Sequence, residues 1–271
     1  GLALGGTPVW SKYAQVGTVW VLTPFVGGGI AYGIASVLPR PTVPEHRSVP
    51  VLAALVGAVL ANVAFVGLGP GGAPGSLAGF AGRLVGVPGF LVPAASTLLV
   101  ATAVAALVSW DIRRDEAGGL RRVLLAMGSL VAFSAGGSQV GLAVGPLLPL
   151  VEGILPVVAV LAGGGVGILV GSWTGAPRMI KSLSQDYSSL GPRRSIAALV
   201  PSFLIAQLAV FWGVPVSFNE IVVSAIIGSG VAVGGSDAVS ARKIGLTVGA
   251  WAGSLVLALA LGYVLACCLP M

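Results

Sequence analysis

Ser195-Ile-Ala-Ala-Leu-Val-Pro-Ser-Phe-Leu-Ile-Ala-Gln-Leu-Ala-Val-Phe-Trp-Gly-Val-Pro-Val-Ser-Phe-Asn-Glu220 is the stretch on which the fold turns. Its first part, 195–213, is apolar over about the 20 residues that a helix needs to cross a bilayer. A second apolar run, 215–235, follows without a polar loop between them. At the junction Pro215 cannot continue the helix before it, since it lacks an N–H and clashes with the preceding turn. Ser217 is a good N-cap for a new helix, and Ser217 with Glu220 has the spacing of a capping box. The expectation is one helix, a break at membrane depth, and a second helix, either as two crossings or as a re-entrant hairpin.

Outward from this junction the same texture fills the chain. Runs of spanning length occur at 15–38, 49–68, 90–110, 123–150, 153–173, 195–213, 215–235 and 245–267. The 271 residues have a mean hydropathy of +1.02. Only 8% are charged, against roughly 25% in soluble domains. So few charges cannot cover a soluble protein of this size, and the apolar surface must face lipid. Gly and Pro, at 42 and 18 residues, are both commoner in membrane helices than in soluble ones.

The net charge of +6 is read as cytoplasmic loop charge rather than a nucleic-acid surface. Twelve of the 14 Lys and Arg fall in loops around Arg40/Arg47, Arg113/Arg114/Arg121/Arg122, Arg178/Lys181/Arg193/Arg194 and Arg242/Lys243. These loops can all lie on one side, which the positive-inside rule makes cytoplasmic. Lys12 and Arg83 then fall on the other. His46 is the only histidine, and Cys267 and Cys268 stand as one adjacent pair, so no multi-histidine or cysteine metal site is expected. The opening Gly1-Leu-Ala-Leu4 does not read as a secretory signal peptide. It reads as the interior of a longer protein.

A second break is expected at Phe133-Ser-Ala-Gly-Gly-Ser-Gln-Val-Gly-Leu-Ala-Val-Gly-Pro146. There Gly136 and Gly137 weaken a helix, and Ser138 and Gln139 place polar groups at membrane depth. Irregular backbone survives at that depth only where protein or water covers it. A half-helix beginning at such a break offers free N–H groups and the positive end of its dipole, which together form an anion site. Each feature also has a plainer reading. Ser138 and Gln139 can bond across helices as packing glue, and Ser217 with Glu220 can be a cap alone. An ionisable Glu220 within the membrane points to function, as a capping residue, a cation ligand or a proton carrier. Beside an anion it favours a coupling role over direct substrate contact. Gly163, Gly167, Gly171 and Gly175, four residues apart, are read as a smooth packing stripe. Arg178 and Lys181 read as cytoplasmic anchors, and Asp237 as a solvated loop residue.

The ends of the chain repeat one another. Gly1-Leu-Ala-Leu-Gly-Gly-Thr7 matches Gly230-Val-Ala-Val-Gly-Gly-Ser236, and with a two-residue gap Lys12, Trp20, Thr23 and Tyr32 align with Lys243, Trp251, Ser254 and Tyr263. The charge pattern puts Lys12 and Lys243 on opposite sides, as in transporters with inverted repeats.

At the two break segments the sequence resembles the inorganic phosphate transporter (PiT) family of cation-coupled permeases. That family carries F-x-H-G-A-N-D-V-A-N-A-I-G-P. Here Phe133, Gly136, Val140, Ala143, Gly145 and Pro146 keep its frame. The family's G-x-P-V-S-T-T-H corresponds to Gly213-Val-Pro-Val-Ser-Phe-Asn-Glu220, followed by Ile226-Ile-Gly-Ser-Gly230. The likeness covers about 120–271 and, as the end of a first repeat, 1–38. Departures are specific. The family's Asn-Asp pair falls on Ser138 and Gln139, its later Asn on Leu142, and its T-T-H on Phe218, Asn219 and Glu220. The carboxylate implied to bind the coupling cation is thus absent from this half, unless Glu220 restores it. The first repeat's own motifs are expected before Gly1.

Together these readings describe an all-α integral membrane protein, a polytopic helical bundle with inverted repeats and broken or re-entrant helices. Residues 1–38 end a first transmembrane repeat, 39–120 form a connector with two transmembrane helices, and 121–271 form the second repeat. The resemblance implies a secondary transporter that carries inorganic phosphate, coupled to sodium or a proton, by alternating access in the cytoplasmic membrane. Ser138, Gln139, Ser217, Phe218 and Asn219 would bind substrate, and Glu220 would couple the cation. No cofactor or nucleic acid is expected; the partners are phosphate, the bilayer and a possible second copy. Another oxyanion such as sulfate is the nearest alternative, and a non-transporting membrane scaffold is one of another class. An enzyme would need paired acids, a metal cluster or a nucleophile with a base, and the eight scattered Asp and Glu supply none.

Overall fold

A computed structural model describes residues 10–38, 44–65, 67–87, 89–151, 153–181, 191–214, 216–235 and 239–268. Its helices are α1 (Trp10–Val37), α2 (Glu45–Asn62), α3 (Leu77–Val85), α4 (Leu91–Arg114), α5 (Glu116–Val144), α6 (Leu148–Val151), α7 (Val157–Lys181), α8 (Pro192–Phe211), α9 (Phe218–Gly234) and α10 (Ala241–Cys268). Two-residue strands β1 (Ala64–Phe65) and β2 (Gly75–Ser76) pair antiparallel in the α2–α3 connection. Each of the eight apolar runs contains one long helix, and the run 123–150 also holds the short α6. Six of these are long and apolar enough to span a membrane: α1, α4, α5, α7, α8 and α10. Helix α9 is apolar but shorter, and α2 opens on Glu45, His46 and Arg47. The protein is an all-α, multi-pass integral membrane protein.

Two connections differ from the sequence expectation. The charged segment 111–122 is not a loop. Asp115 alone separates α4 from α5, and its side chain accepts a hydrogen bond from the Gly118 N–H at 3.0 Å as the N-cap of α5. Arg122 then reaches back one helix and donates to both carboxylate oxygens of Asp111, each at 2.8 Å. The Gly/Pro-rich segment 69–88 also holds more order than a loop. It contains the β1–β2 pair and α3, which is capped by Ser76 and ended by Gly86 in the left-handed conformation (φ 71°).

The break expected at Gly136–Gly137 does not form, and α5 runs unbroken through both glycines to Val144. Two helical glycines cost about 2 kcal/mol relative to Ala. Freeing several backbone groups in an apolar medium costs several kcal/mol for each group, so the helix persists. The interruption comes at Pro146, within a single 3-10 turn at Gly145–Leu147 that leads into the short α6.

The core has two centres. In one, Val49 and Val56 of α2, Ile112 of α4, Leu120 and Met127 of α5, and Ile196, Val200 and Phe203 of α8 pack together. It binds the 39–120 segment to the later helices. A polar tie reinforces this at one end: Arg193, at the start of α8, donates to Oε1 of the buried Glu45. The second oxygen of Glu45 has no hydrogen-bond partner among the described residues.

The other centre is the crossing of α1 and α9, which with α2–α4 is one of the two most extensive helix contacts. Glycine makes it possible. A Cβ on Gly228 would sit 2.0 Å from the Gly28 carbonyl oxygen, and one on Gly28 would sit 3.1 Å from the Ser224 carbonyl oxygen. The anticipated α7 stripe is not used in this way. Gly163, Gly167 and Gly171 meet nothing within 4 Å, and the close approach is made by Gly164 against Val144 of α5. Tertiary context, rather than spacing along α7, selects the packing glycine. Asp237, the side chains of Lys12 and Arg178 and the surroundings of Gly175 lie outside the described residues. Helices α1 and α10 have the same length, 28 residues, and start 231 positions apart, the offset that aligns Lys12 with Lys243.

Two outcomes follow from the packing. Gly228→Ala forces a methyl into backbone and should destabilise the folded protein by about 3 kcal/mol, the upper end of overpacking costs; Gly167→Ala should be neutral. Thermal unfolding of the purified protein in detergent distinguishes them. Arg193→Ala leaves the Glu45 carboxylate buried without its donor and should cost about 1–3 kcal/mol. The Glu45→Gln/Arg193→Gln double variant should recover most of that loss, and equal losses in the two would show that the pair is not coupled.

Candidate functional site

The junction read first in the sequence is a true break. Helix α8 ends at Phe211, Gly213 adopts a left-handed φ of 64°, and α9 starts at Phe218. Ser217 is its N-cap and accepts from the Glu220 N–H at 3.4 Å; the first intrahelical bond runs from the Ile221 N–H to the Ser217 carbonyl at 3.2 Å. Helix geometry leaves the N–H groups of Phe218 and Asn219 without intrahelical partners. The site therefore has one helix start with donors to spare, at the positive end of the α9 dipole.

Helix α5 faces this break across a cleft of ≈ 360 Å³. Ser134, Ser138, Gly141 and Leu142 line it from α5, Ala206 and Val210 from α8, and Gly213, Val214, Val216 and Phe218 from the break and the head of α9. Beneath it Phe218 and Ile221 pack on Ala206, with Val131 and Ala135 of α5 against them. The Ser138 segment of α5 and the Val216–Phe218 segment thus line one cleft.

The sequence-predicted residues divide within it. Ser138 lines the cleft and its hydroxyl donates to the Ala135 carbonyl of its own helix at 3.1 Å. Phe218 is buried and lines the cleft wall. Ser217 is half-buried at the rim as the cap. Gln139 does not line the cleft, because the unbroken helix turns consecutive residues by about 100° and Ser138 takes the facing position. Asn219 is exposed and likewise does not line it. Glu220 is half-buried, and its carboxylate has no hydrogen-bond or ion-pair partner among the described residues. The picture of two half-helix starts sharing one anion is corrected to one start, α9, facing the hydroxyl-bearing side of an intact helix.

Two residues were missed. Ser134 lies one turn before Ser138 on the same face of α5 and also lines the cleft. Its hydroxyl accepts a hydrogen bond from Nε2 of Gln207, a buried residue of α8. The signal was present: Gln207 is an amide inside an apolar spanning run, where a polar side chain must find a partner on another helix. No group of three His, Cys, Asp or Glu that could hold a metal ion occurs among the described residues.

Comparison with known proteins agrees with this architecture. Residues 1–262 match the phosphate transporter family. A protein of Chlamydia pneumoniae carrying the name phosphate permease is 28% identical over 86% of this chain and 63% of its own length. A probable low-affinity inorganic phosphate transporter of Mycobacterium tuberculosis is 26% identical over 85% of this chain and 55% of its own length. The chain therefore spans somewhat under two thirds of the curated relatives it matches. A solved structure titled the sodium-dependent phosphate transporter superposes with a TM-score of 0.54 at 20% identity, covering 83% of this chain and 58% of that one; it shares the fold. With a family match over nearly its whole length and a broken-helix cleft where the family motifs fall, the chain belongs to the phosphate transporter family, a family of transporters rather than enzymes.

Proposed function

We propose that the chain is the larger part of a secondary transporter that moves inorganic phosphate across the cytoplasmic membrane by alternating access, coupled to sodium or a proton. Residues 1–38 supply the end of a first repeat, 121–271 form the second, and 39–120 joins them. The observation that carries the reading is the cleft itself. It sets two serine hydroxyls opposite the donor-rich start of a half-helix at membrane depth, in a chain whose family relatives are named for phosphate.

The chemistry is that of an oxyanion site without a cluster of arginines. Phosphate oxygens accept hydrogen bonds, and the α9 start offers N–H groups with the positive end of a dipole. The Ser134 and Ser138 hydroxyls rotate freely and can redirect their protons toward a ligand. The Gln207 amide holds Ser134 as an acceptor, which leaves that hydroxyl proton available for the anion. Glu220, one turn into α9, opposes this field when ionised. Two like charges 4 Å apart repel by about 4 kcal/mol at an effective dielectric of 20. A cation or proton bound at Glu220 removes that repulsion, so cation and phosphate enter favourably together and unfavourably apart. This is the coupling assigned to Glu220. Asn219 and Gln139, away from the cleft wall in this conformation, join the ligand only if the helices shift during the cycle.

The reading is tested with full-length protein in proteoliposomes, measuring radiolabelled phosphate uptake under an imposed sodium gradient or pH gradient. Uptake that follows one gradient supports the proposal, and no uptake under either overturns it. Equal inhibition by phosphate and sulfate would reassign the substrate. Loss of one hydroxyl donor to a charged ligand costs about 1.5–3 kcal/mol, or about ten- to hundredfold in affinity. Ser138→Ala and Ser134→Ala should each weaken phosphate binding on that scale. Glu220→Gln should abolish the dependence of phosphate binding on the cation while binding itself persists. A non-transporting scaffold would show no uptake in the unmutated protein and no phosphate binding that these substitutions could weaken.

A further inference from the structure

The short helix α3 has a face that nothing in the proposed transport cycle uses. Its nine residues cover about 13.5 Å at 1.5 Å per residue, far less than the roughly 20 residues needed to cross a bilayer. The side chains sort sharply by direction. Ala78 is buried, and Gly82 approaches Pro93 of α4 so closely that a Cβ would lie 3.2 Å from its Cγ. That side is the seat on α4. Arg83, the one charged residue of α3, stands on the side away from it and donates to the Leu68 carbonyl. The remaining arc carries Leu77, Phe80 and Leu84, at i, i+3 and i+7, with Val85 beside them, and all four are exposed.

Three candidate occupants exist for an apolar arc of this kind: water, protein or lipid. Water is excluded by the arc's extent. It continues through Val87, Phe90 and Leu91, also exposed, beyond the scattered single residues that soluble surfaces tolerate. Lipid is favoured by continuity. Leu91 opens α4, a spanning helix of mean hydropathy 2.2 over its apolar window, whose outer face bears the exposed Leu98 and Leu99. Among the described residues, the exposed apolar side chains of α3 lead through Val87 and Phe90 to the exposed apolar side chains of a spanning helix. Gly86 and Gly89, with φ of 71° and 110°, supply the left-handed residues that bend the chain between them. A short helix with one apolar face, flanked by a single basic side chain long enough to reach the polar side, is the pattern that lies in the interface rather than across the bilayer.

We infer that α3 is an interfacial helix whose Leu77–Phe80–Leu84 face is seated in the headgroup–acyl boundary of the outer leaflet, with the lipid bilayer as its partner. The charge pattern places Arg83 on the side opposite the twelve clustered basic residues, which assigns the leaflet. The seat fixes the depth at which α4 enters the membrane and holds the β1–β2 connection above it, with Arg83 turned to the polar side.

The test uses full-length protein with Cys267 and Cys268 replaced by Ser, reconstituted in phosphatidylcholine/phosphatidylglycerol nanodiscs. Nitroxides are attached singly through Phe80→Cys, Leu84→Cys and Arg83→Cys, and collisions are measured with oxygen, which partitions into lipid, and with a water-soluble nickel chelate. The expected result is an oxygen-to-nickel collision ratio several-fold higher at 80 and 84 than at 83. Equal ratios at the three positions, or nickel dominating at 80 and 84, would place the face in water. Low collision rates with both reagents at 80 and 84 would place it under protein, such as a second copy. Either result overturns the proposal. These labels sit on exposed positions, so the fold is preserved, and Leu77→Cys provides an independent third reading of the same face.

Discussion

A backbone amide or carbonyl left unpaired in hydrocarbon costs more than almost any local sequence preference can return, and this constraint orders the whole structure. It explains why α5 stays helical through Gly136 and Gly137 even though both residues favour leaving the helix. It also explains why the chain breaks where it does. Pro215 removes a donor and forbids the preceding turn, Gly213 accepts the left-handed turn, and Ser217 supplies the oxygen that satisfies one of the orphaned amides of α9. The break is then roofed by α5 and floored by Phe218 and Ile221 against Ala206. Protein therefore lines one side of the break, while Phe211, Trp212 and Gly213 remain exposed.

The same constraint has an electrical consequence. A helix start with amides still to satisfy favours negative charge nearby. Ser134 and Ser138 face it from a helix that has no donors of its own to spare, so their hydroxyls supply what the α5 backbone cannot. Gln207 holds one of them from the opposite wall. The arrangement depends on α5 and α8 keeping their distance, and that distance is set by the large core in which Leu120 and Met127 meet Ile196, Val200 and Phe203. Site and core are in this sense one object, built along the same two helices.

Much of this was legible in the residues. Apolar run length located all eight long helices, because a bilayer demands a minimum of apolar chain and leaves little room for ambiguity. The cap at Ser217 was legible because its chemistry is local: a proline, a hydroxyl and a carboxylate at fixed spacing. What failed was everything that depended on a neighbour. The glycines of α7 looked like a packing stripe at Gly163, Gly167 and Gly171, but it is Gly164, and more loosely Gly165, that meets α5, since tertiary packing decides which side of a smooth helix is used. Gln139 adjoins Ser138 in the motif, but along an intact helix the two residues point about 100° apart, and only Ser138 lines the cleft. Asn219, beside Phe218 at the start of α9, likewise lies off the cleft wall. Ser134 and Gln207 were overlooked because their meaning is a pair across 73 residues of sequence, which no local pattern contains. Asp115 shows the opposite error: a dense patch of charge suggested a loop, yet one residue with a well-placed carboxylate suffices to end one helix and begin the next.

Helices α1 and α10 are each 28 residues long, about 42 Å at 1.5 Å per residue, against a hydrocarbon slab of roughly 30 Å. Each must lean or project into the headgroups to fit, and the excess is the same at both ends of the chain. A thinner bilayer steepens the lean of both, and a thicker one straightens both, at a cost of fractions of a kcal/mol per ångström of mismatch. Since α1 is locked to α9 through Gly28 and Gly228, any change in its lean is handed directly to the helix whose first residues form the cleft. Lipid chain length thereby becomes a mechanical input to this protein.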